Sequence, residues 1–253
     1  MKKGIQRLIA LFAVVGIVYG YYCATLSEGD KLIQKANYFD QNGKYAKAIS
    51  LYQEVVDENP SNAVAWFRMG RDYIKLNQSD RALSSLKEAV RVNPEYVDAL
   101  LTLGLLETEK GYFSDALAHF KLVAHLKPES KEAQMNIGAI YNRLSEHELA
   151  LKAFQTASEL DQKFVLAWYH QGVSYYFLKD YLSAKKVFEK VVELNPDFTD
   201  AYAYLGMIHQ EEGALDEAIV FWKKRIDTAV PNDPALMVVE QHYYQLIQKL
   251  TLV

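Results

Sequence analysis

The sequence predicts an all-α solenoid, and three observations predict it. Ala48, Ala82, Ala116, Ala150, Ala184 and Ala218 recur every 34 residues. Gly70, Gly104, Gly138, Gly172 and Gly206 run in step with them. Between the two ladders the apolar residues keep a helical period, at i, i+3, i+4 and i+7. A fixed period of this length marks a repeat architecture, in which a unit buries its apolar face only by stacking on its neighbours.

Taking residues 29, 63, 97, 131, 165 and 199 as first positions gives six units over 29–232 with no insertion. Position 4 holds Leu32, Trp66, Leu100, Gln134, Trp168 and Tyr202, and position 11 is mostly aromatic, as in Phe39, Tyr73, Tyr141 and Tyr175. Positions 4, 7, 8 and 11 share one helical face, so each unit opens with an amphipathic helix A. Gly43, Gly111 and Gly213, with Asn77, stand at position 15, where a residue able to take positive φ ends that helix. Ala82, Leu83, Leu86, Ala89 and Val90 then line one face of a helix B. Pro60, Pro94, Pro128 and Pro196 stop helix B at position 32. A glycine inside a helix costs about 1 kcal/mol against alanine, so the position-8 ladder needs a reason. The expected one is close approach of helix B's backbone.

Together these positions resemble the tetratricopeptide repeat (TPR), with Trp or Leu at 4, Leu-Gly at 7–8, Tyr at 11, Ala at 20, an aromatic at 24 and Pro at 32. Position 24 here is Tyr52, Leu86, Phe120, Phe154, Phe188 and Trp222. Glu107, Gln171 and Gln162 depart from the pattern singly. The resemblance implies a right-handed superhelix of six helix-turn-helix units. After it, residues 233–253 read as a capping helix, opened by Asp233-Pro234 and carrying Val239, Tyr243, Leu246, Ile247 and Leu250 on one face.

Residues 8–27 carry no charge, and Lys2, Lys3 and Arg7 precede them. Twenty residues at about 1.5 Å each span about 30 Å, a bilayer's hydrocarbon thickness. Residues 1–28 are therefore expected to be a transmembrane anchor or a signal segment. The anchor gives a single-pass protein with a cytoplasmic N-terminus and an extracytoplasmic repeat domain. A cleaved signal gives a periplasmic or secreted one. Cys23 is the only cysteine, which excludes an intramolecular disulfide and a cysteine-based metal site. Residues 29–253 carry 25 Lys and Arg against 31 Asp and Glu, an acidic balance that argues against a nucleic-acid partner.

The sequence holds no glycine-rich phosphate loop, no His-Glu-x-x-His and no Gly-x-Ser-x-Gly. No two of its six histidines share a helical face at metal-ligand spacing. No catalytic residue, metal, cofactor or small-molecule substrate is expected, and the chain reads as a non-enzyme.

The resemblance places a concave groove on helix A positions 2, 5, 6, 9, 12 and 13. On them Phe67, Arg68, Arg71 and Lys75 carry a basic stripe. Leu101, Leu105, Met135, Tyr169, Val173, Tyr176 and Phe177 make an apolar, aromatic wall, with Asn136, Arg143 and His170 among them. Exposed apolar surface of this extent marks a partner site. The expected function is a TPR scaffold in a membrane-associated assembly that holds a partner peptide or helix in its groove. The alternative is an exported adaptor or chaperone-like subunit holding one client. The carboxylate-gripping clamp of TPR co-chaperones is absent, since Ile33 and Arg68 stand where it needs Lys and Asn.

Overall fold

A computed structural model describes residues 27–230 and 233–251. Thirteen helices and no strand occur among them. They are α1 (Glu28–Gln41), α2 (Tyr45–Glu58), α3 (Ala63–Lys75), α4 (Ser79–Val92), α5 (Val97–Glu109), α6 (Phe113–Leu126), α7 (Lys131–Arg143), α8 (His147–Leu160), α9 (Val165–Phe177), α10 (Tyr181–Leu194), α11 (Thr199–Glu211), α12 (Leu215–Asp227) and α13 (Leu236–Thr251). Short connections make successive helices antiparallel neighbours, packed as TPR helix pairs. The chain divides into two compact units at Tyr112 and Phe113, α1–α5 and α6–α13, and each is described by itself.

All six ladder alanines are fully buried. The glycine ladder has a cause beyond the one expected. A Cβ on Gly138 would lie 2.6 Å from Phe154 Cε1, and one on Gly172 2.7 Å from Phe188 Cε1. Gly70 meets Leu86 Cγ at 2.8 Å, and Gly206 meets Trp222 Cε2 at 3.0 Å. The side chain at position 24 of helix B is the nearest group at position 8, and at Gly70 helix B's backbone approaches as well, the Ala82 carbonyl oxygen lying 3.4 Å from such a Cβ.

The turn at position 15 is uniform although its residues are not. Gly43, Gly111 and Gly213 take φ of 70, 80 and 76°, and Asn77, Ser145 and Lys179 take 56, 61 and 61°. In each turn the next residue's N–H reaches back to the position-11 carbonyl, as Lys44 does to Phe39 at 2.8 Å and Asp180 to Tyr175 at 3.0 Å. These bonds close helix A in the manner of a Schellman cap. Ser145 and Lys179 pay the left-handed steric penalty with no sequence signal to announce it.

Two departures from the repeat pattern are compensated locally. Gln171 sits in an apolar position, is 3% exposed, and donates to Ser158 Oγ at 2.6 Å and to the Phe154 carbonyl at 3.3 Å. Arg225 occupies the position that is Val55, Ala89, Val123, Ala157 and Val191 in other units. It is buried and pairs with Asp233 at 2.7 Å and Asp200 at 3.8 Å. Position 4 also repeats a bond to the preceding turn. Trp66 Nε1 donates to Pro60 O at 2.9 Å, Trp168 Nε1 to Gln162 O at 3.0 Å and the Tyr202 hydroxyl to Pro196 O at 3.0 Å. Gln162 therefore serves as well as a proline, because the carbonyl is what the contact uses.

The expected localisation is corrected. Among the described residues no helix is long and apolar enough to cross a membrane, so a single-pass topology with an extracytoplasmic repeat domain does not stand. The uncharged segment on which it rested lies, through residue 26, outside the described residues. From Ser27 the chain is already helical in the repeat manner. Ser27 Oγ accepts the Asp30 N–H at 3.1 Å, Asp30 returns the bond to Ser27 N at 3.3 Å, and α1 follows. The C-terminal helix also begins later than Asp233-Pro234 suggested. Asp233 accepts the Ala235 N–H at 2.9 Å, and α13 opens at Leu236.

Gly138→Ala should destabilise the protein by about 1–3 kcal/mol, because Phe154 is wholly buried and its ring must move. Adding Phe154→Leu should recover part of that loss, and chemical denaturation of the two single variants and the double variant reads the coupling. Lys179→Gly should stabilise by about 0.5–1 kcal/mol, the left-handed penalty less glycine's entropy, visible as a raised Tm.

Candidate functional site

In the first unit the groove positions of α1 and α3 carry a charged cluster. Arg68 was expected to be a free member of a basic stripe. Its guanidinium instead stands 3.9 Å from the Asp40 carboxylate, and both side chains are partly covered. Asp72, one turn along α3, is 2% exposed. Burial, and then the neighbouring Asp40 carboxylate, push its pKa up to about 7. As a carboxylate it leaves Oδ2 without a hydrogen bond. With a proton it becomes a donor toward Asp40. Tyr52 completes the cluster. Its hydroxyl donates to Asn37 Oδ1 at 2.6 Å, and burial pushes its pKa up to about 12.

Phe67 is not a groove residue. It is 7% exposed and packs with Leu103, Leu106 and Tyr96, its ring 5.0 Å from the tyrosine's. Arg71 and Lys75 remain exposed, Arg71 lying 5.7 Å over the Phe67 ring. On α5, Leu105 is 51% exposed and Leu101 half-buried, an apolar patch of the first unit.

In the second unit the expected wall is an aromatic cluster with a covered base and an open edge. Val173 is a core residue rather than a wall residue. Tyr169 lies mostly within the packing, 4.8 Å from Phe198, 5.9 Å from Tyr204 and 6.0 Å from Phe188. Burial raises its hydroxyl pKa well above the ordinary value. Phe177 is the open edge, 54% exposed and stacked on His147 at 4.9 Å. Tyr176 bridges, 5.8 Å from Phe177 and 5.3 Å from Tyr204. His170 stacks on Phe154 at 5.1 Å, and burial lowers its pKa, which keeps the imidazole neutral. Met135 and Asn136 on α7 are half-buried, and Arg143 is exposed, 6.0 Å over the Phe113 ring.

α13 packs with the face expected of a capping helix, and it also extends the repeat register. Its His242 shares a hydrogen bond with Gln210 at 2.8 Å, and Leu246, Val239 and Tyr243 pack with Trp222. That bond spans the same 32 residues as Ser174 Oγ to Asn142 Oδ1 at 3.3 Å. The helix thus continues the register as a seventh helix A. The signal was present, since residue 233 begins a seventh period. The groove positions of α13 bear Met237, Val238 and Tyr244, which are 77, 65 and 61% exposed.

Stacked helix pairs with their repeat-specific contacts define a TPR protein, a fold that typically serves as a non-enzymatic scaffold for binding proteins and peptides. The chain belongs to the family of the cilia and flagella-associated protein 70 middle TPR-like domain, whose model matches residues 32–175, more than half of it. A tetratricopeptide-repeat model also matches residues 165–198. No curated protein matches the sequence. Among solved structures, MamA is 27% identical with a TM-score of 0.61, over 63% of this chain and 94% of MamA. A TPR protein from Parabacteroides merdae is 20% identical with a TM-score of 0.71, over 87% of each chain. YrrB, described as a TPR protein with an unusual peptide-binding site, is 20% identical with a TM-score of 0.64, over 76% of this chain and 96% of YrrB.

The Asp40–Asp72 pair predicts a pH dependence. A carboxyl whose folded pKa is raised stabilises the fold fully below its unfolded pKa, and that contribution is lost as pH rises through the folded one, here about 7. Unfolding free energy should fall by more than about 1 kcal/mol between pH 5 and pH 8 relative to Asp72→Asn, which should remove this part of the slope. Denaturant midpoints across that range check it.

Proposed function

We propose that this chain is an adaptor that holds one segment of a partner protein against the aromatic groove face of α9 and α11. The observation that carries the reading is Phe177. A phenylalanine more than half exposed, at the edge of a packed cluster of Tyr169, Tyr176 and Tyr204, offers apolar surface with little entropy left to lose. The peptide-binding site described for YrrB, a protein of the same fold, supports the same kind of occupant.

In the first unit, taken by itself, Arg71 and Lys75 are exposed cations on groove positions of α3 and suit an acidic group. Arg68 has less to give, because Asp40 already engages it. Met135, Asn136, Arg143 and His170 border the face as contacts of lesser weight, and Leu101 and Leu105 serve the first unit in the same way. The adaptor reading is preferred to a membrane-associated scaffold, because the helical surface supplies the binding face and no described helix supplies the membrane.

A photo-crosslinking amino acid at Phe177 should capture a recurring peptide segment. The same group at Leu182, which is 62% exposed on α10, should not. Phe177→Glu should weaken capture at least about tenfold with a small change in Tm, since it desolvates a charge at the contact. Equal crosslinking at both positions would refute the assignment.

A further inference from the structure

Two consecutive junctions of the second unit share a ring stack between position 24 of one repeat and position 6 of the next. Phe154 stacks with His170 at 5.1 Å and 21°. Phe188 stacks with Tyr204 at 4.8 Å and 9°. One period further on, position 24 is Trp222 and position 6 is Val238, so no ring stacks on the indole from position 6; His242 meets it edge-on, at 4.9 Å and 68°. A cavity of about 360 Å³ lies at that place, lined by Met207, Gln210, Glu211, Trp222, Val238 and His242. Its volume exceeds that of any side chain and falls at the lower end of the range for ligand pockets. Its floor is apolar. The indole N–H of Trp222 is buried against Gly206 and has no partner, whereas those of Trp66 and Trp168 are bonded to carbonyls.

The charge around the cavity has one sign. The groove positions of α9, α11 and α13 carry Asp200 and Glu211 and no Lys or Arg, and Asp200 is engaged by Arg225 of α12 at 3.8 Å, which leaves Glu211. Glu211 lines the cavity, and its charge adds to the burial that raises the Tyr176 hydroxyl pKa.

We propose that this cavity receives one aromatic side chain of a partner peptide, which completes the stack on Trp222 as Tyr204 does on Phe188, and that a Lys or Arg beside it meets Glu211. The proposal rests on the adaptor reading and deepens it by naming the anchor. An aromatic ring is favoured over an aliphatic one because the two filled sites of the series both hold flat rings on flat rings. A basic neighbour is favoured because an acidic one would meet like charge with no compensating cation.

The probe is a nonapeptide with one Phe between two lysines, with an Ala-for-Phe twin and a Glu-for-Lys twin, added to the full chain. The indole N–H resonances are followed by NMR. The Lys-flanked Phe peptide should shift the Trp222 signal and leave those of Trp66 and Trp168 in place. The Glu twin should bind at least about fivefold more weakly, and the Ala twin should produce no shift. Val238→Tyr should fill the cavity from within, raise Tm and abolish the shift. Glu211→Gln should weaken the Lys-flanked peptide and equalise the two Phe peptides.

No Trp222 shift, equal binding of the Lys and Glu peptides, or full binding to a folded Val238→Tyr protein would each overturn the proposal. The outcome is separable from the adaptor reading. Segment capture at Phe177 that persists in Val238→Tyr would leave that reading standing while removing this anchor.

Discussion

The structure depends on one contact, the side chain at position 24 of helix B pressed onto the bare backbone at position 8 of helix A. Where that side chain is Phe154 or Phe188, the ring lies closer than any Cβ permits. The contact fixes how near the two helices of a pair come, and it is made of dispersion and buried apolar area rather than of directed bonds. Leu86 and Trp222 fill the same place with different volumes, so the contact tolerates a change of shape but not the addition of a methyl opposite it. Because each pair is set in this way, every later contact inherits a register.

That register shows in bonds whose separations repeat. Position 4 donates six residues back to the preceding turn in Trp66, Trp168 and Tyr202. Position 10 meets position 12 of the previous helix A in Ser174 with Asn142 and in His242 with Gln210, and Asp72 beside Asp40 has the same spacing. Lys110 with Asp80 and Lys131 with Asp161 both join residues 30 apart at 2.6 Å. The exposed pairs contribute little to stability individually. Their significance is geometric. They show that a junction is a set of places, each of which accepts more than one chemistry.

The fold was legible because the period constrains packing positions. The alanines, the apolar faces and the helix stops at Gly43, Gly111 and Gly213 could be assigned from type and spacing alone. What could not be read was occupancy that depends on a partner distant in sequence. Ser145 and Lys179 adopt the left-handed turn because the register forces it, not because their side chains favour it. Arg225 and Gln171 look wrong in core positions until Asp233 and Ser158 are placed beside them. The candidate site was half legible for the same reason. Phe177, Arg71 and Lys75 are exposed as their positions imply, whereas Phe67 is buried with Leu103 and Tyr96, Val173 with Phe188 and Leu205, and Arg68 is engaged by Asp40. The uncharged N-terminal segment suggested a membrane topology by length and composition, a property that no packing position could check.

The two units fill equivalent places with opposite chemistry. At the junction of α1, α2 and α3 the positions 6, 10, 12 and 24 are Arg68, Asp72, Asp40 and Tyr52. At the junction of α9, α10 and α11 they are Tyr204, Ile208, Tyr176 and Phe188. The first set gathers charged groups, with Asp72 buried and its pKa raised beside the Asp40–Arg68 pair. The second stacks rings, so its surface responds to shape.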